Sequence, residues 1–169
     1  MTDTLETPNL VLRPLTLGDV GALRALFIDP DVRRWAADGR VLTEAAVRAA
    51  VQKSLTSFRL HGVGFYAMIR KEDGAFAGYA GMRPARLGGV ELGAAVWPRY
   101  WRLGLALEAC RTLLDHAFGP LALPRVLACA DAPNFRSLGL IARLGFRPLV
   151  NTPGVFGAVR WFVREREQA

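Results

Sequence analysis

Residues 90–118 read VELGAAVWPRYWRLGLALEACRTLLDHAF, and this stretch decides the fold. An apolar run typical of a strand ends at the turn of residues 98–103, Gly104 follows, and an amphipathic helical pattern then begins. The first N–H groups of a helix have no intrahelical partner, and the helix dipole places partial positive charge there. Arg99 and Arg102 add cationic donors, and a glycine allows a ligand close to the backbone. The stretch therefore predicts a cradle for a phosphate or pyrophosphate group, although it contains neither the P-loop nor the dinucleotide-binding glycine pattern.

Length and composition are those of a globular protein. The chain has 169 residues, of which 51% are hydrophobic and 22% are charged. It can therefore bury a substantial core, and we expect one domain over residues 1–169. No apolar run reaches the roughly 18 residues that a membrane-spanning helix needs, and the first ten residues lack the features of a secretory signal. We expect a cytoplasmic protein that does not associate with a membrane.

The distribution of charge and of metal-ligating side chains argues against two classes of partner, nucleic acids and metal ions. The net charge is +7, and the Arg residues that supply it are scattered along the chain. No aromatic-basic groove pattern or helix-turn-helix signature accompanies them, so a nucleic-acid partner is not expected. A small polyanionic ligand explains part of the charge. The cysteines Cys110 and Cys129 are interpreted as buried small hydrophobic residues rather than a disulfide or metal pair. The histidines His61 and His116 match no metal-ligand spacing, so no metal is expected.

Hydrophobic periodicity predicts the element order β-α-α-β-β-β-α-β-α-β-β. The predicted strands cover residues 9–15, 65–70, 76–83, 91–97, 125–130, 146–150 and 155–164. The predicted helices cover residues 20–28, residues 43–60, and the segments that follow Gly104 and Pro133–Asn134. Asp29–Asp31 is interpreted as a break. The strand–helix–strand unit around the cradle implies a parallel pair within a mixed, mostly antiparallel sheet of α/β (α+β) class, and ligands of such sheets bind beyond the carboxyl ends of the parallel strands.

Four segments together resemble the GNAT family of N-acetyltransferases, in particular its RimJ/RimL-like ribosomal-protein branch. They are NLVLRPL at residues 9–15, DPDVRRW at 29–35, ELGAAVWPRYWRLGLALEA at 91–109 and PNFRSLGLIARLGF at 133–146. The resemblance implies a splayed sheet with acetyl-coenzyme A in the splay and no metal. It implies that the pantetheine arm adds to a strand and that the pyrophosphate lies on the loop before the helix. The cofactor-binding residues so implied are Ala94, Val96, Trp101, Arg102, Leu103, Gly104, Leu105, Ala106, Asn134 and Ser137.

The sequence departs from the family pattern at three places. The loop usually reads W-G-[RK]-G, but Arg102 stands at the first glycine and Leu103 at the basic residue. Because backbone amides do most of the cradling, we expect binding to survive, with Arg102 supplying the charge. Ile141 stands where many relatives carry a catalytic Tyr. Ala94 replaces a frequent aromatic residue, which we expect to enlarge the acceptor side.

Three residues are candidates for catalysis. Glu91 is the candidate base, directly or through water; the alternative is a strand carboxylate paired with a neighbouring Arg. Ser137 is the candidate proton donor to the leaving thiolate, as in the branch that the chain resembles; the alternative is a first-turn Ser that satisfies the backbone. Asn134 is expected to bind the pantetheine region and also to cap a helix. The weaker candidates for the acceptor pocket are Asp29, Arg33, Trp35, Phe65 and Tyr66.

The predicted function is transfer of an acetyl group from acetyl-coenzyme A to a primary amine by direct attack on the thioester. The acceptor stays open between a protein N-terminus and a small amine such as an amino acid, a polyamine or an aminoglycoside. The alternative is a non-catalytic sensor or regulatory module that binds acyl-coenzyme A, which the substitutions at Leu103 and Ala94 keep open. A homodimer is a further expectation, although the sequence shows no interface for it.

Overall fold

The computed structural model describes residues 4–167, which form a mixed sheet with helices packed against it. The strands are β1 (Leu5–Glu6), β2 (Leu10–Pro14), β3 (Phe65–Arg70), β4 (Phe76–Pro84), β5 (Val90–Val96), β6 (Arg125–Asp131), β7 (Arg147–Gly154) and β8 (Gly157–Glu165). The α-helices are α1 (Val20–Ile28), α2 (Pro30–Ala36), α3 (Glu44–His61), α4 (Leu105–Phe118) and α5 (Phe135–Arg143). The strand order is β1-β2-β3-β4-β5-β6-β8-β7. The predicted fold class is thereby confirmed.

The sheet opens between its two parallel strands. β5 pairs antiparallel with β4 along its full length. It pairs parallel with β6 at two positions, Glu91 with Leu127 and Leu92 with Ala128. Beyond Leu92 the two strands diverge, so the carboxyl-terminal half of β5 has a strand neighbour on one side. We call the space between β5 and β6 the gap.

The two faces of the sheet carry separate apolar clusters. The larger cluster packs α4 and α5 on one face and contains Leu113 of α4 and Ile141 of α5. The smaller cluster packs α1 and α3 on the other face, where Leu23 and Val47 meet. Because side chains alternate along a strand, each residue of β5 contributes either to the α4 face or to the α1 face. This alternation determines which side chains of β5 can reach an acceptor.

Helix α3 begins and ends at local signals. The Thr43 hydroxyl accepts a hydrogen bond from the N–H of Ala46 at 3.1 Å, and Gly62 follows the last turn at φ 71°. Both features are expected of helix ends, since an N-cap oxygen satisfies a free amide and a left-handed residue closes the last turn. Although α3 has 18 residues, no helix within the described part of the chain combines the length and apolar character needed to cross a membrane.

The predicted break at Asp29–Asp31 is the start of α2. Asp29 Oδ1 accepts hydrogen bonds from the N–H groups of Asp31 and Val32 at 3.0 and 3.2 Å. Pro30 is the first residue of the helix, where its missing N–H costs nothing. The same proline that ends α1 therefore starts α2. The structure also adds the two-residue strand β1, which was not predicted.

The last hairpin turns later than predicted. The two predicted strands end at residue 150 and begin again at residue 155, but residues 151–154 continue β7, and the turn lies at Val155–Phe156. Thr152 accepts a hydrogen bond from Trp161 Nε1 at 2.9 Å, which fastens this segment to β8. Pro153 is tolerated because β7 is an edge strand and its outer backbone needs no donor. Pairing with β8 thus overrides the turn-forming residues of the segment.

The start of β2 is tied to α4 through Glu108. Asn9 donates its backbone N–H to Glu108 Oε1 and its side-chain Nδ2 to Oε2, each at 2.8 Å. The Thr7 hydroxyl also bonds to Oε1. Burial alone would raise the pKa of Glu108, but these hydrogen bonds outweigh it and the pKa is lowered. The amino-terminal hairpin therefore fixes the first half of α4.

Asp19 links β2 to the start of α1. Arg13 donates to its two carboxylate oxygens at 2.8 and 2.7 Å, and Thr16 N–H donates at 2.8 Å. Burial alone would raise the pKa of Asp19, but the hydrogen bonds from Arg13 and Thr16 outweigh it, and the pKa is lowered. The ionised form is therefore the one that the folded state stabilises.

Replacing Asp19 by Asn should lower the free energy of unfolding at neutral pH by about 2 kcal/mol, the order expected for hydrogen bonds to a charged group. A carboxyl whose pKa is depressed on folding contributes its stability above the unfolded value of roughly 3.9 and loses it as the pH falls through the folded value. Urea unfolding between pH 2 and pH 7 should therefore show less loss of stability in acid for Asp19→Asn than for the wild type. Asp115→Asn, on an exposed residue of α4, is the control, and equal acid sensitivity of wild type and Asp19→Asn would contradict the assignment.

Candidate active site

The open edge of β5 presents peptide groups to the gap. Trp97 N–H donates to Ala77 O at 2.9 Å on the β4 side. Because the hydrogen bonds of an antiparallel ladder alternate along the strand, the peptide groups of Val96 and Ala94 point the other way, towards β6. These are the two residues predicted to pair with a pantetheine arm. An extended ligand can bond here as an additional strand would.

Trp101 forms a hydrogen bond with one of these peptide groups. Its indole Nε1 donates to Val96 O at 2.8 Å, while its ring packs against the larger cluster. The Val96 N–H and the N–H and C=O of Ala94 are then the groups left for a ligand. Trp101 thus fastens the end of β5 to the loop that precedes α4.

The amino terminus of α4 is uncapped and exposed. Gly104 is the N-cap residue at φ 76°, and no side chain bonds to the first-turn amides, which include those of Leu105 and Ala106. A Cβ on Gly104 would meet no atom within 4 Å, so the backbone angle and not crowding by the protein requires glycine. Arg102 also has a positive φ, 71°, which is uncommon for a residue with a Cβ. The side chain of Leu103 is 56% exposed beside this turn.

Asn134 caps α5 on the other side of the gap. Its Oδ1 accepts a hydrogen bond from Ser137 N–H at 3.2 Å, and the residue is buried. The side-chain amide nitrogen of Asn134 is left as a donor. The Ser137 hydroxyl bonds to no other group within the described residues. The capping role predicted for Asn134 is present, and the serine contributes its backbone and not its hydroxyl to the cap.

Glu91 is a buried carboxylate with an arginine partner. Arg83, directly opposite on β4, donates its Nη2 and Nε to Glu91 Oε1 at 2.7 and 3.2 Å. Cys129 Sγ on β6 lies 3.8 Å from the same oxygen. Burial, reinforced by the charge of Glu91, raises the pKa of Cys129 to about 12, so the thiol stays protonated at neutral pH. The neighbouring arginine that the sequence left as an alternative is therefore present, and Oε2 is the oxygen free of these contacts.

The α1 face beside Glu91 is aromatic. The rings of Phe65 and Phe27 lie 5.4 and 5.7 Å from the ring of Tyr79. Burial raises the pKa of Tyr79 to about 12, so its hydroxyl is neutral. Gly93 opens space here, since a Cβ on it would meet the Phe65 ring only at 3.9 Å. Phe65 and Glu91 therefore border one surface.

The side chains of two residues predicted for the acceptor side lie on the opposite face of the sheet from Glu91. Tyr66, adjacent to Phe65 in β3, is 2% exposed and packs in the larger cluster, where its ring lies 5.1 Å from that of Phe58. The side chain of Ala94 packs against the same cluster. Because neighbouring strand residues point to opposite faces, neither side chain lies on the face of Glu91. The expectation that Ala94 enlarges the acceptor side therefore needs correction: its small size affects the core on the α4 face.

Asp29, Arg33 and Trp35 are on or next to α2. Asp29 is occupied as the helix cap, and the Arg33 carbonyl accepts hydrogen bonds from the helix end and from Gly39. Trp35 meets Phe156 at the tip of the β7–β8 hairpin, with ring centroids 5.4 Å apart. Trp35 thus joins α2 to the hairpin, whereas the hydrogen bonds of Asp29 and of the Arg33 carbonyl stay within α2 and the turn after it. Of this group, Trp35 is the one with an aromatic face at the edge of the site.

Sequence reasoning missed the contacts of Arg83, Cys129 and Arg136, the last of which lies over the Trp101 ring. Arg83 could have been found by aligning β4 with β5 across their hairpin, which places it opposite Glu91. Cys129 requires the parallel register of β6, and Arg136 requires the position of α5 across the gap; the sequence carries no signal for either. Within the described residues, no cluster of three or more His, Cys, Asp or Glu side chains could hold a metal ion.

Comparisons with known proteins agree with this geometry. The FsC-acetyl coenzyme A-N(2)-transacetylase of Aspergillus fumigatus is 28% identical over 84% of this chain and 64% of its own length. A GNAT-family acetyltransferase structure from Bordetella pertussis is 27% identical, with a TM-score of 0.86 over 96% of this chain and 99% of that one. The ribosomal L7/L12 α-N-protein acetyltransferase RimL, solved with coenzyme A, shares the fold at 15% identity and a TM-score of 0.83, over 96% of this chain and 98% of its own.

A family model described as acetyltransferase (GNAT) domain matches residues 9–147. This range includes the open edge of β5, the uncapped start of α4 and the cap of α5. The chain belongs to the GNAT acetyltransferase family.

Proposed function

We propose that the protein transfers an acetyl group from acetyl-coenzyme A to a primary amine. One observation carries the proposal: the uncapped amino terminus of α4 adjoins the unpaired edge of β5. Amides of a helix start suit a pyrophosphate, and an open strand edge suits the amide-containing pantetheine arm. The thioester would then lie towards Glu91 and Ser137, at the end of the gap where β5 and β6 begin to pair.

The chemistry requires a neutral amine and a stabilised leaving thiolate. Glu91 would take a proton from the substrate ammonium through Oε2, or through a water that it orders, and so release the neutral amine, while Arg83 holds its other oxygen. The amine would attack the thioester carbon, the carbon–sulfur bond would break with its electrons passing to sulfur, and the second proton of the nitrogen would pass to the thiolate or to water. The free hydroxyl of Ser137 would hydrogen-bond that thiolate, and the amide nitrogen of Asn134 would bond to the pantetheine arm. Of the weaker candidates, Phe65 and Trp35 are the ones whose placement supports contact with the acceptor.

The class of acceptor is the open part of the proposal. Transfer to a nitrogen atom is supported by the similarity to a relative named as an N(2)-transacetylase, and a small amine is one acceptor of that kind. A protein N-terminus, as in the RimJ/RimL-like branch, is supported by the fold shared with RimL and with two other ribosomal-protein acetyltransferases. A panel of amino acids, polyamines, aminoglycosides and peptides, assayed for acceptor-dependent release of coenzyme A thiol, tests the function. Tight cofactor binding with no thiol release across the panel would favour the non-catalytic sensor instead.

Gly104→Val should weaken acetyl-coenzyme A binding more than tenfold, because a branched Cβ would occupy the space where the pyrophosphate approaches the amides. Titration calorimetry measures the dissociation constant. Gly74→Val is the matched control, since Gly74 has a similar φ of 70° with open space around it but lies in the β3–β4 turn. Equal affinities of the two variants would contradict the cradle assignment.

Glu91→Gln should lower kcat by roughly a hundredfold, the order of a lost general base, with little change in cofactor affinity. The variant keeps the shape of the side chain and one oxygen for Arg83 but removes the basic group. A pH–rate profile from pH 6 to 9, with urea unfolding as a check on stability, distinguishes a general base from a carboxylate that only pairs with Arg83. Wild-type turnover combined with lower stability would show that Glu91 serves only as the partner of Arg83.

Ser137→Ala should lower kcat about ten- to a hundredfold, the effect of one lost hydrogen bond to a charged group. Cofactor affinity and thermal stability should hardly change, because the Ser137 cap contact is made by its backbone N–H. Steady-state kinetics measures kcat, titration calorimetry measures the cofactor affinity, and a thermal melt measures the stability. Full activity of Ser137→Ala would mean that water alone stabilises the thiolate.

A further inference from the structure

The loop before α4 lacks a basic side chain where the family pattern usually has one. Leu103 stands at that place and is 56% exposed, and Arg102 occupies a left-handed backbone position. A pyrophosphate carries two negative charges, so Arg102, which we expect to supply one positive charge, leaves the second charge uncompensated. The need for a further cation rests on the proposed function, because it requires coenzyme A to bind at this loop.

Arg136, in the first turn of α5, reaches across the gap to this loop. Its guanidinium carbon lies 3.5 Å from the centroid of the Trp101 ring. Trp101 is itself held by the 2.8 Å hydrogen bond to Val96 O. One guanidinium is thus placed between the helix that Asn134 caps and the loop that leads into α4.

The stacked arrangement leaves the guanidinium able to bind an anion. A guanidinium that lies flat on a ring keeps its in-plane N–H donors available. Within the described residues, no carboxylate pairs with Arg136, and it donates no hydrogen bond. By contrast, Arg70, which stacks on Tyr100 of the same loop, is already paired with Glu72 and Asp73. Arg136 is therefore an oriented cation with free donors at the mouth of the gap.

We propose that Arg136 binds the pyrophosphate of acetyl-coenzyme A and replaces the basic residue missing from the α4 loop. Trp101 acts as its positioning residue, because its ring sets the plane and height of the guanidinium. The cation comes from α5 rather than from the loop, so the cofactor would contact both sides of the gap.

Calorimetric titration of wild type and Arg136→Met with three ligands tests the proposal. The ligands are coenzyme A, dephospho-coenzyme A, which keeps the pyrophosphate, and pantetheine, which has no phosphate. Arg136→Met should weaken binding of the first two by about tenfold or more, the order expected for a charged hydrogen bond, and leave pantetheine unchanged. The salt dependence of coenzyme A binding should also become shallower. Arg24→Met, an exposed change on α1, is the control for loss of one charge and should bind all three as the wild type does.

The other outcomes overturn the assignment in distinct ways. Unchanged affinities, or a loss shared by Arg24→Met, would mean that Arg136 contributes no specific contact. An equal loss for pantetheine would mean that the Arg136 side chain only supports the shape of the site. A loss confined to coenzyme A would move the contact to the 3′-phosphate. If the wild type binds neither coenzyme A nor dephospho-coenzyme A, the proposed function itself fails, independently of Arg136.

Discussion

The separation of β5 from β6 after two residue pairs is the constraint on which the site depends. Peptide groups that lose a strand neighbour must find other partners. Trp101 supplies one partner, to Val96 O, and the remaining groups at Ala94 and Val96 face the gap. The side chains at 93–95 are Gly, Ala and Ala, so this half of β5 exposes its backbone more than its side chains. The gap is thus suited to a ligand that bonds to peptide groups.

The turn before α4 is held in an unfavourable shape by the packing on either side. Arg102 and Gly104 both have positive φ angles, and the helix start has no side-chain cap. Such strain costs on the order of 1–3 kcal/mol for a residue with a Cβ and persists only where the surroundings determine it. The buried apolar face of α4 and the contacts of Glu108 with Asn9 supply that support. The strained turn and the free amides lie together, as expected for a site built to receive an anion.

Strand β5 contributes to three parts of the molecule, because its side chains point to two faces of the sheet and its peptide groups lie in the plane between them. The side chain of Glu91 faces α1 and meets Arg83. The side chain of Ala94 faces α4 and packs in the larger cluster. The peptide groups of Ala94 and Val96 lie in the plane of the sheet and face the gap. The base candidate, the core and the cofactor edge are therefore kept apart by the alternation of a single strand, and a shift of one residue in register would exchange them.

The sequence by itself determined the features that depend on neighbours a few residues apart. The strand–turn–helix of residues 90–118, the helix predicted over residues 43–60, and the parallel pair implied by the crossover were all predicted, because caps, turns and periodicity act locally. Tertiary structure decided the rest. The contact of Arg136 with Trp101 joins segments that are distant in the chain. The partner of Glu91 and the late turn at residues 155–156 are determined by the register between strands. Their energies depend on which surfaces meet, and local propensity does not contain that information.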